Sequence, residues 1–320
     1  MSKTLKILSR PKGNAEEYGR WAVNPYLGCS NSCEYCYLKS GPGAKTLGGD
    51  VATLKKGVVS DEHAYHLAMA EIIEHRDEII RDGGDPCAKE TRKLFFRIVG
   101  DCIGHGQTPK EKVVPCTLLT KCADFCGYDF NLVDSADKME RIDAWITHIA
   151  LFNTSMLRDR LAIGFTLTGH DELESNASTN EERIKAMHYL SDRGYNVWAS
   201  IEPVIDFPSA LAMVWQAVNA GCGHFKIGLL TNNTRLVTKD FAFGEHHFDA
   251  YKVSDCLHFI EDVMRLTDGK ATVYWKQSVR DLLGTVYSPA ATDALLDYPH
   301  AVGKDWSIFN NDNELNEFHE

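Results

Sequence analysis

The sequence predicts an α/β fold, a partial (β/α)6 barrel of the TIM type, and three observations predict it. Short apolar or β-branched runs alternate with longer segments whose apolar residues recur at helical spacing, the pattern of parallel β/α units. About six such units can be traced, too few for a closed eight-stranded barrel. The runs end on turns that carry a cysteine loop, Asp101, Lys121, Thr168, Glu202 and Leu230, and in β/α barrels the chemistry sits at those C-terminal strand ends.

In chain order, residues 1–20 are polar, carry Pro11-Lys12-Gly13 and read as an N-terminal extension. Val23 to Leu27, interrupted by Pro25, suits the end of a first strand. Gly41-Pro42-Gly43 and Gly48-Gly49 mark a connection. Asp61 to Asp82 then reads as a helix with Leu67, Ile72, Ile73, Ile79 and Ile80 as its apolar members. Leu94 to Val99 reads as the second strand, ended by Gly100-Asp101, and Val113 to Thr120 as the third, ended by Lys121. Met139, Ile142, Ile146 and Ile149 recur at helical spacing. Leu161 to Thr168 is the fourth strand, closed by Gly169-His170-Asp171.

Thr179 and Glu182 form a capping-box pattern opening a helix that stops near Gly194. Asn196 to Ile201 is the fifth strand, terminated by Glu202-Pro203. Pro208 suits a first helical turn, and Leu211, Val214, Trp215 and Val218 form an apolar stripe ending at Gly221. His224 to Leu230 is the sixth strand; a helix around Asp255 to Leu266 and a strand-like run, Thr272 to Lys276, follow. The economical organisation is one barrel with its C-terminal elements over residues 21–290 and an acidic C-terminal tail over 291–320.

The 320 residues are 44% hydrophobic and 25% charged, the proportions of a globular protein rather than a disordered one. A formal charge of -11 argues against a large basic nucleic-acid footprint, though not against a local basic groove. Met1 to Gly19 holds no apolar run of signal-peptide length, and no stretch reaches the roughly 20 apolar residues that span a bilayer. A cytoplasmic protein without a membrane partner is expected. In that compartment ten cysteines read as reduced thiols plus a metal site rather than a disulfide framework.

Three of the ten lie in Gly28-Cys29-Ser30-Asn31-Ser32-Cys33-Glu34-Tyr35-Cys36-Tyr37, spaced Cys-x3-Cys-x2-Cys. A cubane [4Fe-4S] cluster takes four thiolates, so this loop leaves one iron open to a substrate or cosubstrate. A zinc site needs a fourth ligand; no His lies in the loop, although His63 or His66 could fold back to supply one. Three cysteines cannot pair evenly into disulfides.

The spacing, followed by an aromatic, resembles the signature of the radical S-adenosylmethionine (SAM) enzymes. Within that group the chain resembles the spore photoproduct lyase, or photolyase-like, family. The likeness rests on Tyr35-Cys36-Tyr37-Leu38, Thr120-Lys121, the run Glu174 to Arg183, Gly194-Tyr195 and Pro203-Val204-Ile205, and it spans about Asn24 to Asp206. It implies a [4Fe-4S] cluster on Cys29, Cys33 and Cys36, with SAM on the open iron through its amino and carboxylate groups. It further implies reductive cleavage of SAM to a 5'-deoxyadenosyl radical that abstracts hydrogen, and a reductant such as flavodoxin or ferredoxin. By analogy alone it implies a nucleobase, nucleoside or nucleic-acid substrate.

By the same resemblance Lys121 pairs with the SAM carboxylate, Thr168 bonds the SAM ribose or carboxylate, and Arg183 reaches SAM. Tyr35 and Tyr37 relay a hydrogen atom or lie beside SAM. Each has a plainer reading: a strand-end lysine, turn chemistry, a bridge within a helix, and packing of the loop. The family's hydrogen-donating cysteine precedes a Thr-Asp pair after the second strand. Aligning that Asp with Asp101 puts Val99 at the cysteine position and leaves Cys102 three residues away, as a substitute donor or a buried structural thiol.

Other candidates stand apart from the resemblance. Cys116, Cys122 and Cys126 are potential ligands of a second cluster, although Cys116 and Cys122 lie in or just past one strand. His246, His247 and Asp249 are a potential metal group or an exposed polar loop. Glu202 is a candidate general base or a structural carboxylate, and Trp275-Lys276-Gln277 is placed to close the barrel mouth or to pack the last strand. The rival to an enzyme is a zinc or iron-sulfur module with a structural, interaction or simple redox role.

Overall fold

Runs such as Leu161–Thr166 and His224–Leu229 are buried along their whole length, the mark of parallel strands covered on both faces. The computed structural model describes residues 5–11, 13–19, 21–36, 48–74, 79–80, 84–104, 116–126, 161–231 and 251–296. Its main sheet takes β1 (Leu8–Ser9), β2 (Trp21–Val23), β5 (Ile79–Ile80), β6 (Cys116–Thr120), β7 (Leu161–Thr166), β8 (Asn196–Val204), β9 (His224–Leu229) and β10 (Thr272–Trp275) side by side in that order. Only β1 runs antiparallel to its neighbour; β2 and β5 to β10 pair in parallel. The first and last strands do not pair with each other among the described residues. The result is the expected open barrel.

Helices α1 (Asp61–Glu74), α2 (Arg92–Gly104), α3 (Asn180–Ser191), α4 (Phe207–Asn219), α5 (Val253–Thr267), α6 (Gln277–Leu283) and α7 (Pro289–Leu296) complete the described chain, with a two-stranded ribbon of β3 (Tyr26–Leu27) and β4 (Thr53–Leu54) beside the cysteine loop. Pro25 separates β2 from β3, so the run expected as one strand serves two sheets. The capping box on α3 forms as its sequence pattern requires, and Asp206 caps α4 by accepting from Ser209 N. No described helix is long and apolar enough to cross a membrane.

The second strand lies elsewhere than expected. Leu94 to Val99 belongs to α2, whose Leu94, Phe95, Ile98, Val99 and Cys102 are buried while Lys93, Arg97 and Asp101 emerge on one side. A short unbroken apolar run does not by itself distinguish strand from buried helix. The strand is instead β5, in the stretch read as the end of a helix that stops at Glu74. Asp101 is therefore a helical residue that accepts from the Tyr65 hydroxyl, and Cys102 is packed into the main core.

Side chains alternate across the sheet. Leu118, Ile163, Val197, Ala199, Phe225, Ile227 and Val273 join the core under the helices, while Leu119, Ala162, Trp198 and Tyr274 form a second cluster inside the barrel with Tyr18. Tyr18 arrives on a 3-10 helix, Gly13–Tyr18, in the segment expected to be an extension. Glu17 Oε1 accepts from Gln277 N at 2.7 Å and from the Tyr274 hydroxyl at 3.2 Å, so this segment is tied to the last strand. At the other end α7 buries Thr292 and Leu296, so packing continues past the expected boundary at residue 290. Residues 297–320, the segment Met139 to Ile149 and the His246 group lie outside the described residues.

Inside the barrel, a Cβ built on Gly164 would sit 2.1 Å from the Trp198 ring. Gly164→Ala is expected to destabilise the fold by about 1–3 kcal/mol through overpacking, read as a lower urea midpoint at unchanged slope.

Candidate functional site

A cavity of about 420 Å³ opens at the C-terminal ends of the strands, with the cysteine loop on one side and Lys276 on the other. The loop needs unusual backbone at two positions. Gly28 has φ +81, and a Cβ there would meet Val51 O at 2.3 Å; Ser32 is left-handed at φ 53 and donates its hydroxyl to Asp50 at 2.7 Å. Cys29 N donates to Gly49 O at 3.0 Å and Glu34 N to Leu173 O at 2.9 Å. Cys29, Cys33 and Cys36 are unpaired thiols and all three line the cavity.

This donor set fits an iron-sulfur cluster. The three thiols share one cavity at the spacing of the loop, the soft donors that iron-sulfur clusters take; among the described residues no group of three or more Cys, His, Asp or Glu is arranged around a single metal ion. Sulfurs that each take a different iron of a cubane need only line one face. Burial pushes the Cys29 and Cys33 thiols up, and Asp85 adds to the effect at Cys29. Bound iron would supply the positive charge that favours thiolate.

Asp85, just past β5, fastens the loop to the barrel. Its carboxylate accepts from Asn31 Nδ2 at 2.7 Å, Thr120 Oγ1 at 2.6 Å, Lys121 N at 2.7 Å and Cys87 N at 2.9 Å. The misplaced second strand hid this residue. The signal available was the turn Gly83-Gly84-Asp85-Pro86 after two adjacent isoleucines.

Lys121 projects into the same cavity from the end of β6 and donates to Glu174 Oε1 at 2.8 Å and to the Tyr35 hydroxyl. Tyr35 in turn donates to Glu174, and Arg183 Nη2 lies 2.5 Å from Glu174 Oε2. Glu174 and Arg183 are wholly buried. Burial alone would raise the Glu174 carboxyl, but Lys121 and Arg183 outweigh it and hold it down at about 2. Burial and Glu174 together raise the Tyr35 phenol, so it stays protonated.

Several of the other expected residues fall outside the cavity wall or outside the described residues. Arg183 does not line the cavity; it donates to Glu174, Thr166 O and Ser178 O. Thr168 is buried in a turn, accepting from His170 N and donating its own N–H to Asn180. Cys102 is on α2 in the core, and Tyr37 lies outside the described residues. Cys116, Cys122 and Cys126 are buried, with Cys122 Sγ 3.8 Å from Asn31 Oδ1.

The opposite wall is built by Glu202, Lys276, Tyr18 and Ser200. The register of β8 against β9 shifts between Ile201 and Val204, an irregularity of the kind that re-aims a side chain. Lys276 Nζ lies 2.6 and 2.5 Å from the two Glu202 oxygens and 3.5 Å from Glu17 Oε2. Burial would push this ammonium down, but Tyr18, Glu202 and Glu17 keep it above its ordinary value. A Cβ at Gly228 would stand 3.0 Å from both Glu202 Oε1 and Lys276 Cδ, so glycine on β9 leaves room for the pair.

Glu174→Gln would leave Arg183 buried without its counter-charge, a loss of about 3–5 kcal/mol. Because the folded carboxyl is depressed, its stabilisation is complete above the ordinary value of 4.5 and fades as pH falls toward about 2. The stability gap between wild type and variant, followed by denaturant titration, is therefore expected to be constant from pH 7 to 5 and to narrow below 4.5.

No family model matches the chain, and no curated protein matches it. Solved structures do. A cysteine-to-alanine variant of spore photoproduct lyase aligns at 13% identity and a TM-score of 0.56, covering 86% of this chain and 80% of that one. A tyrosine-to-phenylalanine variant aligns at 12% and 0.55 over 85% and 79%. The lyase complexed with dinucleoside spore photoproduct aligns at 13% and 0.56 over 86% and 81%. Over most of its length the chain has the fold of spore photoproduct lyase.

Proposed function

We propose that this protein is a radical SAM enzyme that abstracts hydrogen from a substrate held across the cavity from the cysteine loop. The observation that carries the reading is the placement of Cys29, Cys33, Cys36 and Lys121 on one cavity at the C-terminal mouth of parallel strands, in the fold of spore photoproduct lyase. Cys29, Cys33 and Cys36 would hold a [4Fe-4S] cluster, and SAM would bind between it and Lys121. When bound, the cluster and SAM supply a carbon radical through one-electron reduction from a flavodoxin- or ferredoxin-like donor.

The chain's own part is binding, orientation and shielding. Lys121 is held at the cavity by Glu174 and Tyr35, where its ammonium is a charge-assisted partner for the SAM carboxylate. Arg183 acts one step back, fixing Glu174 and through it the direction of Lys121. Tyr35 presents a protonated phenol between the cysteine loop and this ion pair. Asp85 holds the loop at a fixed height above β5 and β6. Thr168 and Cys102 have no direct role in this reading. A nucleobase, nucleoside or nucleic acid is the proposed substrate class, and the cytoplasm the proposed compartment.

Two measurements test it. Anaerobically reconstituted wild type is expected to bind iron and sulfide and, with SAM and a strong reductant, to form 5'-deoxyadenosine; Cys33→Ala is expected to lose both. A wild type that binds the cluster yet leaves SAM intact would refute the reading in favour of a simple redox or structural role. Lys121→Ala is expected to retain iron and to bind SAM about tenfold or more weakly, as loss of one charged hydrogen bond implies.

A further inference from the structure

The wall opposite the cysteines has an unusual balance of donors and acceptors. The Tyr18 hydroxyl donates to Glu202. It lies 2.9 Å from Ser200 Oγ, and since its one proton is committed to the carboxylate, Ser200 is the donor of that pair. The Lys276 ammonium donates to both Glu202 oxygens and lies 3.5 Å from Glu17 Oε2 as an ion pair without a hydrogen bond, and only 1% of its side-chain surface is open against 22% for Glu202. The Tyr18 proton and two of the Lys276 protons go to Glu202. What faces the cavity is lone pairs: a carboxylate has about four acceptor sites, and Tyr18 and Lys276 use three.

Two further features narrow the ligand. Leu119, Pro203, Leu229 and Leu230 also line the cavity, an apolar lining that suits a flat, uncharged ring. Lys276, the lysine on this wall, is already paired with the half-buried Glu202, and Lys121 lies at the cysteine end of the cavity, where SAM is proposed to take it. A phosphate brought to this wall would meet the charge of Glu202 with no uncommitted cation to offset it.

We propose that Glu202 is the specificity-determining residue of this cavity, accepting an N–H from a neutral heterocyclic substrate and turning away phosphorylated ones. The proposal rests on the reading that the cysteine end of the cavity holds the cluster and SAM. It narrows that reading to free, unphosphorylated rings with a donor nitrogen. Glu202 is placed to bind, Lys276 and Tyr18 to position it, and Gly228 to leave the pair room.

The test is calorimetric titration of the anaerobically reconstituted holoprotein with uridine, N3-methyluridine, adenosine, N6,N6-dimethyladenosine and the two parent 5'-monophosphates. At least one parent nucleoside is expected to bind about 10- to 100-fold more tightly than its N-methylated analogue, the loss associated with one hydrogen bond to a charged group, and more tightly than its monophosphate. These comparisons alter only the ligand, so they do not depend on a variant that folds. Glu202→Gln, accepted only if its circular dichroism matches wild type, is expected to lose the discrimination against the monophosphate. Equal binding of parent and methylated ligand, or no binding of either parent at millimolar concentration, overturns the proposal.

Displacement of the bound nucleoside by SAM overturns it too, because the wall would then serve the adenine of the cosubstrate. Formation of 5'-deoxyadenosine is measured in the same preparations. Its presence alongside ligand-independent binding sinks the role of Glu202 alone, whereas its absence sinks the radical SAM reading whatever the nucleosides do.

Discussion

The Glu174 carboxylate is the interaction on which the site depends. It is wholly buried, and a carboxylate in that position is sustained only by counter-charges and hydrogen bonds that offset its lost hydration. Here they come from three directions: Lys121 from the end of β6, Arg183 from α3 and Tyr35 from the cysteine loop. One atom group therefore fixes the lysine, a helix and the loop relative to one another. Misplacing any of them would strand a charge in the interior, which is why the arrangement is specific and not merely cohesive.

Asp85 does for the near edge of the barrel what Glu174 does for its centre. Four donors, two backbone and two side-chain, converge on it from the loop, β6 and its own turn. With Gly28 and Ser32 supplying the left-handed backbone, the three cysteines are displayed on a loop whose ends and middle are all tied down. A binding or catalytic group is held in productive geometry only when the residues behind it are themselves fixed in this way.

The far wall follows a different logic. The inner face of the sheet changes character along the barrel: Leu119 and Ala162 give way to Trp198, Tyr274, Lys226 and Lys276. The open side between the first and last strands admits the Gly13–Tyr18 segment, which brings Glu17 and Tyr18 to these lysines. Charges that would be prohibitive alone are tolerable as a neutral, mutually bonded group. In that bonding Glu202 accepts from Tyr18 and Lys276 and stays more exposed than the lysine.

The alternation of parallel strands and helices, the positions of β6 to β10, the capping box of α3 and the cysteine spacing that lines the cavity are all legible in the sequence, because each is written in local spacing. Lys121 and Glu202 were also legible, as polar residues where apolar runs stop. The second strand was not: Leu94 to Val99 is an unbroken apolar run and Ile79-Ile80 a very short one, so local pattern favoured the wrong segment, and with it Asp101 over Asp85. Tertiary packing alone sets that Arg183 pairs with Glu174, that Thr168 and Cys102 lie away from the cavity, and that the N-terminal segment enters the barrel. Those are contacts between residues far apart in the chain, and neither periodicity nor motif spacing encodes which distant partner a buried charge will find.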